Sequence, residues 1–310
     1  MKKFALFPLF ALLLAGALRA QSAEEWFEKG MKATDPEKEL VFFTKAIQLD
    51  PDFTEAYFNR GAVLFGMGRV EEAIVNLDKT IQLAPEFADA YCNRGFFKAS
   101  LGRLEEALAD YDKAIQLDPD LGLAYYNRGI ARAGAGRFEA ALADFDKAIQ
   151  LAPEEADAYF ERGVAHFNLT RYDKALADFD QSIRLGIENP FAYYNRAMVQ
   201  SKLGRNEEAL ADFDKLIQAV PDFALAYINR GITKSNLGRY EAAIPDFDKS
   251  LQLGTDQPFT VYNQRGYAYF KLGRYSKAVA DWEHMERAAP EGYEPAWNYI
   301  AEARKKLGNK

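Results

Sequence analysis

The chain has 310 residues, 49% of them hydrophobic and 27% charged, with a formal charge of −7. That is an ordinary globular balance, and its acidity argues against nucleic acid, whose binding is dominated by phosphate neutralisation. One cysteine, Cys92, excludes an intrachain disulfide, and the two histidines, His166 and His284, are too few and too far apart for a zinc site.

Residues 1–20 read as a signal peptide. Lys2 and Lys3 make a positive start, an apolar run extends from Phe4 to Leu18, and small residues cluster at Ala15, Gly16, Ala17 and Ala20. The run is short for a bilayer span. Cleavage is expected after Ala20, leaving Gln21 first; Ala17 is the alternative site and an uncleaved anchor the competing reading. No cysteine lies near the cleavage region to accept a lipid. Loss of Lys2, Lys3 and Arg19, with no acid removed, makes the chain more acidic still. A periplasmic or secreted protein is predicted, with no stable membrane insertion after cleavage.

Residues 21–53 form a degenerate first repeat: Trp26 and Gly30 stand where later units have Tyr and Gly, and Asp35-Pro36 marks a shortened turn. Seven full units occupy residues 54–292. Each opens on a version of Ala56-Tyr57-Phe58-Asn59-Arg60-Gly61, and the last phrase position runs Gly61, Gly95, Gly129, Gly163, Ala197, Gly231, Gly266. A period of about 34 residues, slipping once by one, means a stacked repeat. A first helix in each unit ends at a Gly-Arg pair such as Gly102-Arg103, because glycine suits the left-handed residue past a helix end. Thr170-Arg171 breaks this rule and predicts local strain. A second helix ends before a proline, as at Asp118-Pro119. Pro245 falls inside a second helix, near its start. Residues 293–310 repeat only a first helix, Trp297 taking the Tyr place, and are expected to form a capping helix and tail.

The spacing Tyr57, Gly61, Leu64, Ala73, Leu77, Pro85, and its recurrence at Tyr91, Gly95, Ala107, Tyr111, Pro119, resembles the tetratricopeptide (TPR) pattern. The resemblance covers residues 23–307, and the Ala-Tyr-x-Asn-Arg-Gly phrase points to an exported bacterial member. It implies an all-α fold: a right-handed TPR superhelix, or solenoid, of about eight helix-turn-helix repeats plus the cap. Arg60 and its equivalents stand where the family usually has Leu. At 100° per residue, these arginines lie on the edge of the packed face and need partners. Acids recur at two places on the second helix. A ladder of ion pairs is predicted between Arg94, Arg128, Arg162, Arg196 and Arg230 and the acids Asp110, Asp144, Asp178 and Asp212, with an anionic-ligand site as the competing reading.

The opposite side of each first helix carries amides and aromatics in place of the usual Glu and Lys. Asn59, Asn93, Asn127, Asn195 and Asn229 recur there, interrupted by Glu161 and Gln264, with Phe58, Tyr126, Phe160 and Tyr194 beside them. The resemblance places first helices along a concave groove. An asparagine amide donates and accepts at once, matching a peptide backbone, and the row resembles the asparagine ladder of the O-GlcNAc transferase repeats. Simple duplication of a unit would carry the asparagines without a role. The expected function is a non-enzymatic scaffold that grips an extended protein segment, without cofactor or metal. The alternative is an exopolysaccharide or cell-envelope scaffold contacting glycan, with Phe96, Tyr126, Phe160 and Tyr194 placed to stack sugar rings. Nothing resembling a phosphate loop or a nucleophile turn occurs.

Overall fold

The computed structural model describes residues 22–288 and 297–308; the expected leader, Pro290 and Pro295 lie outside the described residues. Every regular element among them is an α-helix, and the helices follow one another in helix-turn-helix order. The chain divides into two compact units, residues 1–131 and 132–310. The first holds the pairs α1 (Ala23–Lys32) with α2 (Pro36–Leu49), α3 (Thr54–Gly66) with α4 (Val70–Leu83), and α5 (Ala88–Ser100) with α6 (Leu104–Leu117). Helix α7 (Gly122–Gly134) closes it, its last turn passing into the second unit. The second unit begins with α8 (Phe138–Leu151). The pairs α9 (Ala156–Asn168) with α10 (Tyr172–Arg184), α11 (Phe191–Lys202) with α12 (Asn206–Ala219), and α13 (Ala224–Asn236) with α14 (Tyr240–Gln252) follow. Then come α15 (Pro258–Lys271) with α16 (Tyr275–Ala288), and α17 (Trp297–Gly308).

The local signals act through hydrogen bonds. Gly102 adopts φ +75°, which lets its own N–H reach Ala99 O and the N–H of Arg103 reach Lys98 O at 3.0 Å, closing the orphan carbonyls of α5. Thr170 does the same job after α9 with φ 57°, the one non-glycine residue with positive φ among the described residues. Pro245 does not break α14, which continues to Gln252. At the chain's start, Ser22 and Asp35 accept from the backbone N–H of Glu25 and Glu37, capping α1 and α2.

Within each pair, a small residue on one helix meets a large one on the other. Ala73, Ala107, Ala141, Ala175, Ala209, Ala243 and Ala278 are buried without remainder, as are Phe145, Phe179, Phe213, Phe247 and Trp282 one turn further on. A Cβ built on Gly163 would stand 2.8 Å from Phe179 Cε1, so the glycine is what lets that ring lie against the first helix. Burying each such ring contributes about 1.5–3 kcal/mol. The tyrosines of the repeated phrase behave differently. Tyr57, Tyr91, Tyr125 and Tyr159 are half-buried, and each carries the neighbouring arginine over its face, with Arg60, Arg94 and Arg162 about 5.4 Å from the ring centre. Helix α17 buries Ile300 and Ala303 in one cluster with Trp282 and Met285 of α16.

Candidate functional site

The arginines of the repeated phrase bind two second helices at once. Arg94 Nε and Nη2 donate to both oxygens of Asp110 at 2.9 and 2.6 Å, within its own pair, while Nη1 donates to Asp78 of the preceding pair at 2.6 Å. Arg162 repeats this with Asp178 and Asp146. Arg196 does so with Asp212 and Asp180, Arg230 with Asp246 and Asp214, and Arg265 with Asp281 and Asp248. Arg128 reaches Asp112, and Asp144 accepts from Arg132 at 2.7 Å. Bonding to Asp212 holds the Arg196 guanidinium above its ordinary pKa in spite of burial. The inner carboxylates take a second cation from the same first helix: Lys98 on Asp110 at 2.9 Å and Lys234 on Asp246 at 2.7 Å.

A second, outer set of ion pairs joins successive pairs, from arginines whose place in the sequence signals a helix end. Arg171 pairs with Glu139, Arg239 with Glu207, and Arg274 with Glu241. Arg171, Arg239 and Arg274, each just past the end of a first helix, thus reach back to the unit before. The recurrence of Glu two residues beyond that arginine was the available signal.

The amide row occupies the half-exposed stripe of the first helices. Asn59, Asn195 and Asn229 donate Nδ2 to the carbonyl one turn back, of Glu55, Phe191 and Leu225, at 2.8–3.1 Å. That bond restrains each amide and leaves Oδ1 uncommitted by it, an oxygen that can accept. Two members are also engaged with the preceding unit: Asn229 donates to Tyr194 Oη at 3.0 Å, and Asn127 to Cys92 Sγ at 3.8 Å. Glu161, where an asparagine is missing, has its carboxyl pushed above the usual range by burial and then by Asp157.

Of the aromatic residues of the expected groove, Phe160 needs correction. Phe160 is 9% exposed and packs on Phe179 with ring centres 5.7 Å apart, so it cannot meet a ligand. Phe58 turns to Phe87 at 4.9 Å and Tyr194 to Phe223 at 5.4 Å, and both partners precede the next first helix. Tyr126 is half-buried in the same register. The physical reason is the stack: this position faces the following unit, which the rotation of a lone helix does not reveal. Cys92 and Ile228 share it and are buried, and burial pushes the Cys92 thiol up to about 11. Apolar exposure lies one helical step away, at Leu123 (52%), Phe96 (44%), Ile130 and Phe191.

Two openings touch the row. In the first unit, Asn59 lines a cleft of about 430 Å3 with Met31, Phe43, Ala62 and Val63. In the second, Asn263, Gln264, Tyr267 and Tyr299 surround about 200 Å3. Among the described residues, no group of three His, Cys, Asp or Glu is placed to hold a metal ion, and no helix is long and apolar enough to cross a membrane.

Stacked helix pairs with small-against-aromatic contacts, joined by ion pairs, define a helical-repeat protein. Tetratricopeptide repeat models match residues 126–190, 194–258 and 228–293, with further ones over 98–136 and 42–75. The matched segments cover more than half of the chain, and it belongs to the tetratricopeptide repeat family. Residues 159–222 also match a model described as anaphase-promoting complex subunit 5. The TPR protein YrrB, described as having an unusual peptide-binding site, is 27% identical, with a TM-score of 0.56 over 61% of this chain and 97% of its own. A tetratricopeptide repeat protein from Parabacteroides merdae, 22% identical, matches with a TM-score of 0.56 over 83% of this chain and 99% of its own. An uncharacterized protein of Methanocaldococcus jannaschii is 41% identical over 56 residues, 17% of this chain; the match spans 65% of that relative's length.

Proposed function

We propose that this protein is a non-enzymatic scaffold outside the cytoplasm that holds an extended segment of a partner protein against its first helices. The observation that carries the reading is the cleft at Asn59. Its Nδ2 is held by Glu55 O at 2.8 Å, and Met31, Phe43 and Val63 line the same opening. An extended peptide has alternating backbone donors and acceptors and side chains on alternate faces, so one amide and one apolar wall per unit suit it. Asn59, Asn93 and Asn195 are the residues to bind; Asn127 and Asn229 contribute mainly to the joints between units. The peptide-binding site described for YrrB supports the class of ligand. The buried Phe160 removes one of the rings on which a glycan would stack. The leader-like segment at residues 1–20 supports export.

The test is capture of partners from the cell envelope by the purified protein, compared with Asn59→Ala/Asn93→Ala. Loss of specific protein partners with an unchanged circular dichroism spectrum is expected; an unaltered partner set sinks the reading. Export is checked separately by mass spectrometry of the native N-terminus, expected at Gln21. A chain that keeps Met1 inside the cytoplasm overturns that part.

A further inference from the structure

One rung of the arginine ladder lacks its acids. Arg94, Arg162, Arg196, Arg230 and Arg265 each bind two carboxylates, one from the own pair and one from the preceding pair. Arg60 occupies the same place on α3, over the Tyr57 ring. Its two partner positions carry neutral residues: Asn76 on α4, at the place of Asp110, and Thr44 on α2, at the place of Asp78. Among the described residues Arg60 makes no ion pair. Its Nε donates to Asn76 Oδ1 at 2.8 Å, and Nη1 meets Thr44 Oγ1 only at 3.4 Å, where the same atom of Arg94 meets Asp78 at 2.6 Å. Glu72, the acid that acts on Arg60 through space, is held by both Nε and Nη2 of Arg69 at 2.7 Å.

The guanidinium is nevertheless built in. Asn76 is buried and oriented by donating its Nδ2 to Glu72 O at 2.8 Å, so its Oδ1 faces Arg60 Nε. Thr44 is half-buried beside Nη1 and its side chain ends one bond short of where an aspartate oxygen stands. A half-buried guanidinium with neutral partners is costly to leave without a counter-charge, and burial lowers its pKa. The remaining N–H groups of the guanidinium form half of a bidentate carboxylate contact.

We propose that Arg60, with Thr44 Oγ1 beside it, is a binding site for one carboxylate of a partner protein, an acidic side chain or a chain terminus, which completes the rung that Asp78 and its equivalents complete elsewhere. The inference goes beyond the amide row and does not depend on it: Arg60 points to the second helices, whereas Asn59 points to the cleft.

The experiment follows the arginine Nε–H signals of the purified protein by 1H–15N NMR, Arg60 being assigned with Arg60→Lys. Sodium acetate is titrated against sodium chloride at equal ionic strength. A saturable shift of the Arg60 signal with acetate alone is expected, and Thr44→Asp, which supplies the missing acid, should abolish it while the protein stays folded. Two short peptides separate the sources: one amidated with an internal Asp, one with a free C-terminus and no acid. Binding of either, lost in Thr44→Asp, supports the site. The proposal is overturned if acetate leaves Arg60 unmoved, if Thr44→Asp responds like the parent, or if neither peptide binds. Should Thr44→Asp unfold, Arg60→Gln takes its place: both peptides are expected to lose binding, and binding retained in Arg60→Gln overturns the site.

Discussion

Thr170 and Glu161 are single residues at odds with the pattern of the other units, and each has a measurable consequence. Thr170 holds φ 57° where the other units have glycine. A β-branched residue in the left-handed region costs on the order of 1–2 kcal/mol. Thr170→Gly is expected to raise thermal stability by about 1 kcal/mol, read by calorimetry; no gain would show the strain to be relieved elsewhere. Glu161 has its pKa raised by burial. An acid whose folded pKa exceeds its unfolded one stabilises below the unfolded value, and that contribution is lost as pH rises through the folded one. Glu161→Gln should therefore stabilise the protein at neutral pH and make no difference at pH below the ordinary glutamate value. A pH-independent effect would disprove the charge argument. Both positions were visible as departures from the repeat; the burial that shifts Glu161 was not.

At the scale of the helix pair, the two sets of ion pairs differ in burial and so in worth. Asp212 is 2% exposed and accepts two bonds from Arg196. Removing one partner of such a pair strands the other charge, at a cost approaching 3–5 kcal/mol. The outer pair of Arg239 and Glu207 is exposed and worth at most about 1 kcal/mol. Asp212→Asn should lower the melting temperature by several degrees and Glu207→Gln hardly at all; equal effects would contradict the burial argument. Gly163→Ala would place a Cβ against Phe179 and should cost about 1–3 kcal/mol through overpacking. The sixth unit carries a fully buried Ala197 at this place, so the cost there has already been accommodated. Helix boundaries were legible because glycine and proline act locally. The position of Phe58, Phe160 and Tyr194 was not, because that flank of a helix is covered only by the next pair.

For the whole molecule, stability in a repeat array is a sum of unit and nearest-neighbour terms. Breaking one rung should loosen amides near it and leave distant ones protected. Hydrogen exchange of Asp212→Asn is expected to show faster exchange in α11 to α13 and unchanged rates in α3 to α6. Uniform acceleration along the chain would mean a single cooperative block. The same logic places ligand effects locally: an acid at Arg60 should protect α2 to α4 and little else.

The sequence by itself determined that this is an all-helical repeat protein with a period of about 34 residues, and that recurring Arg and Asp would need each other. Those properties depend on local geometry and on a period, and both are written in residue order. Only the tertiary structure decided which partner each arginine takes, that Arg60 takes neither acid, that half of the expected groove aromatics are spent between units, and that the Gly-Arg turn also reaches backward. Those outcomes depend on what a neighbouring unit covers, and a one-dimensional pattern carries no record of which flank a stack will bury.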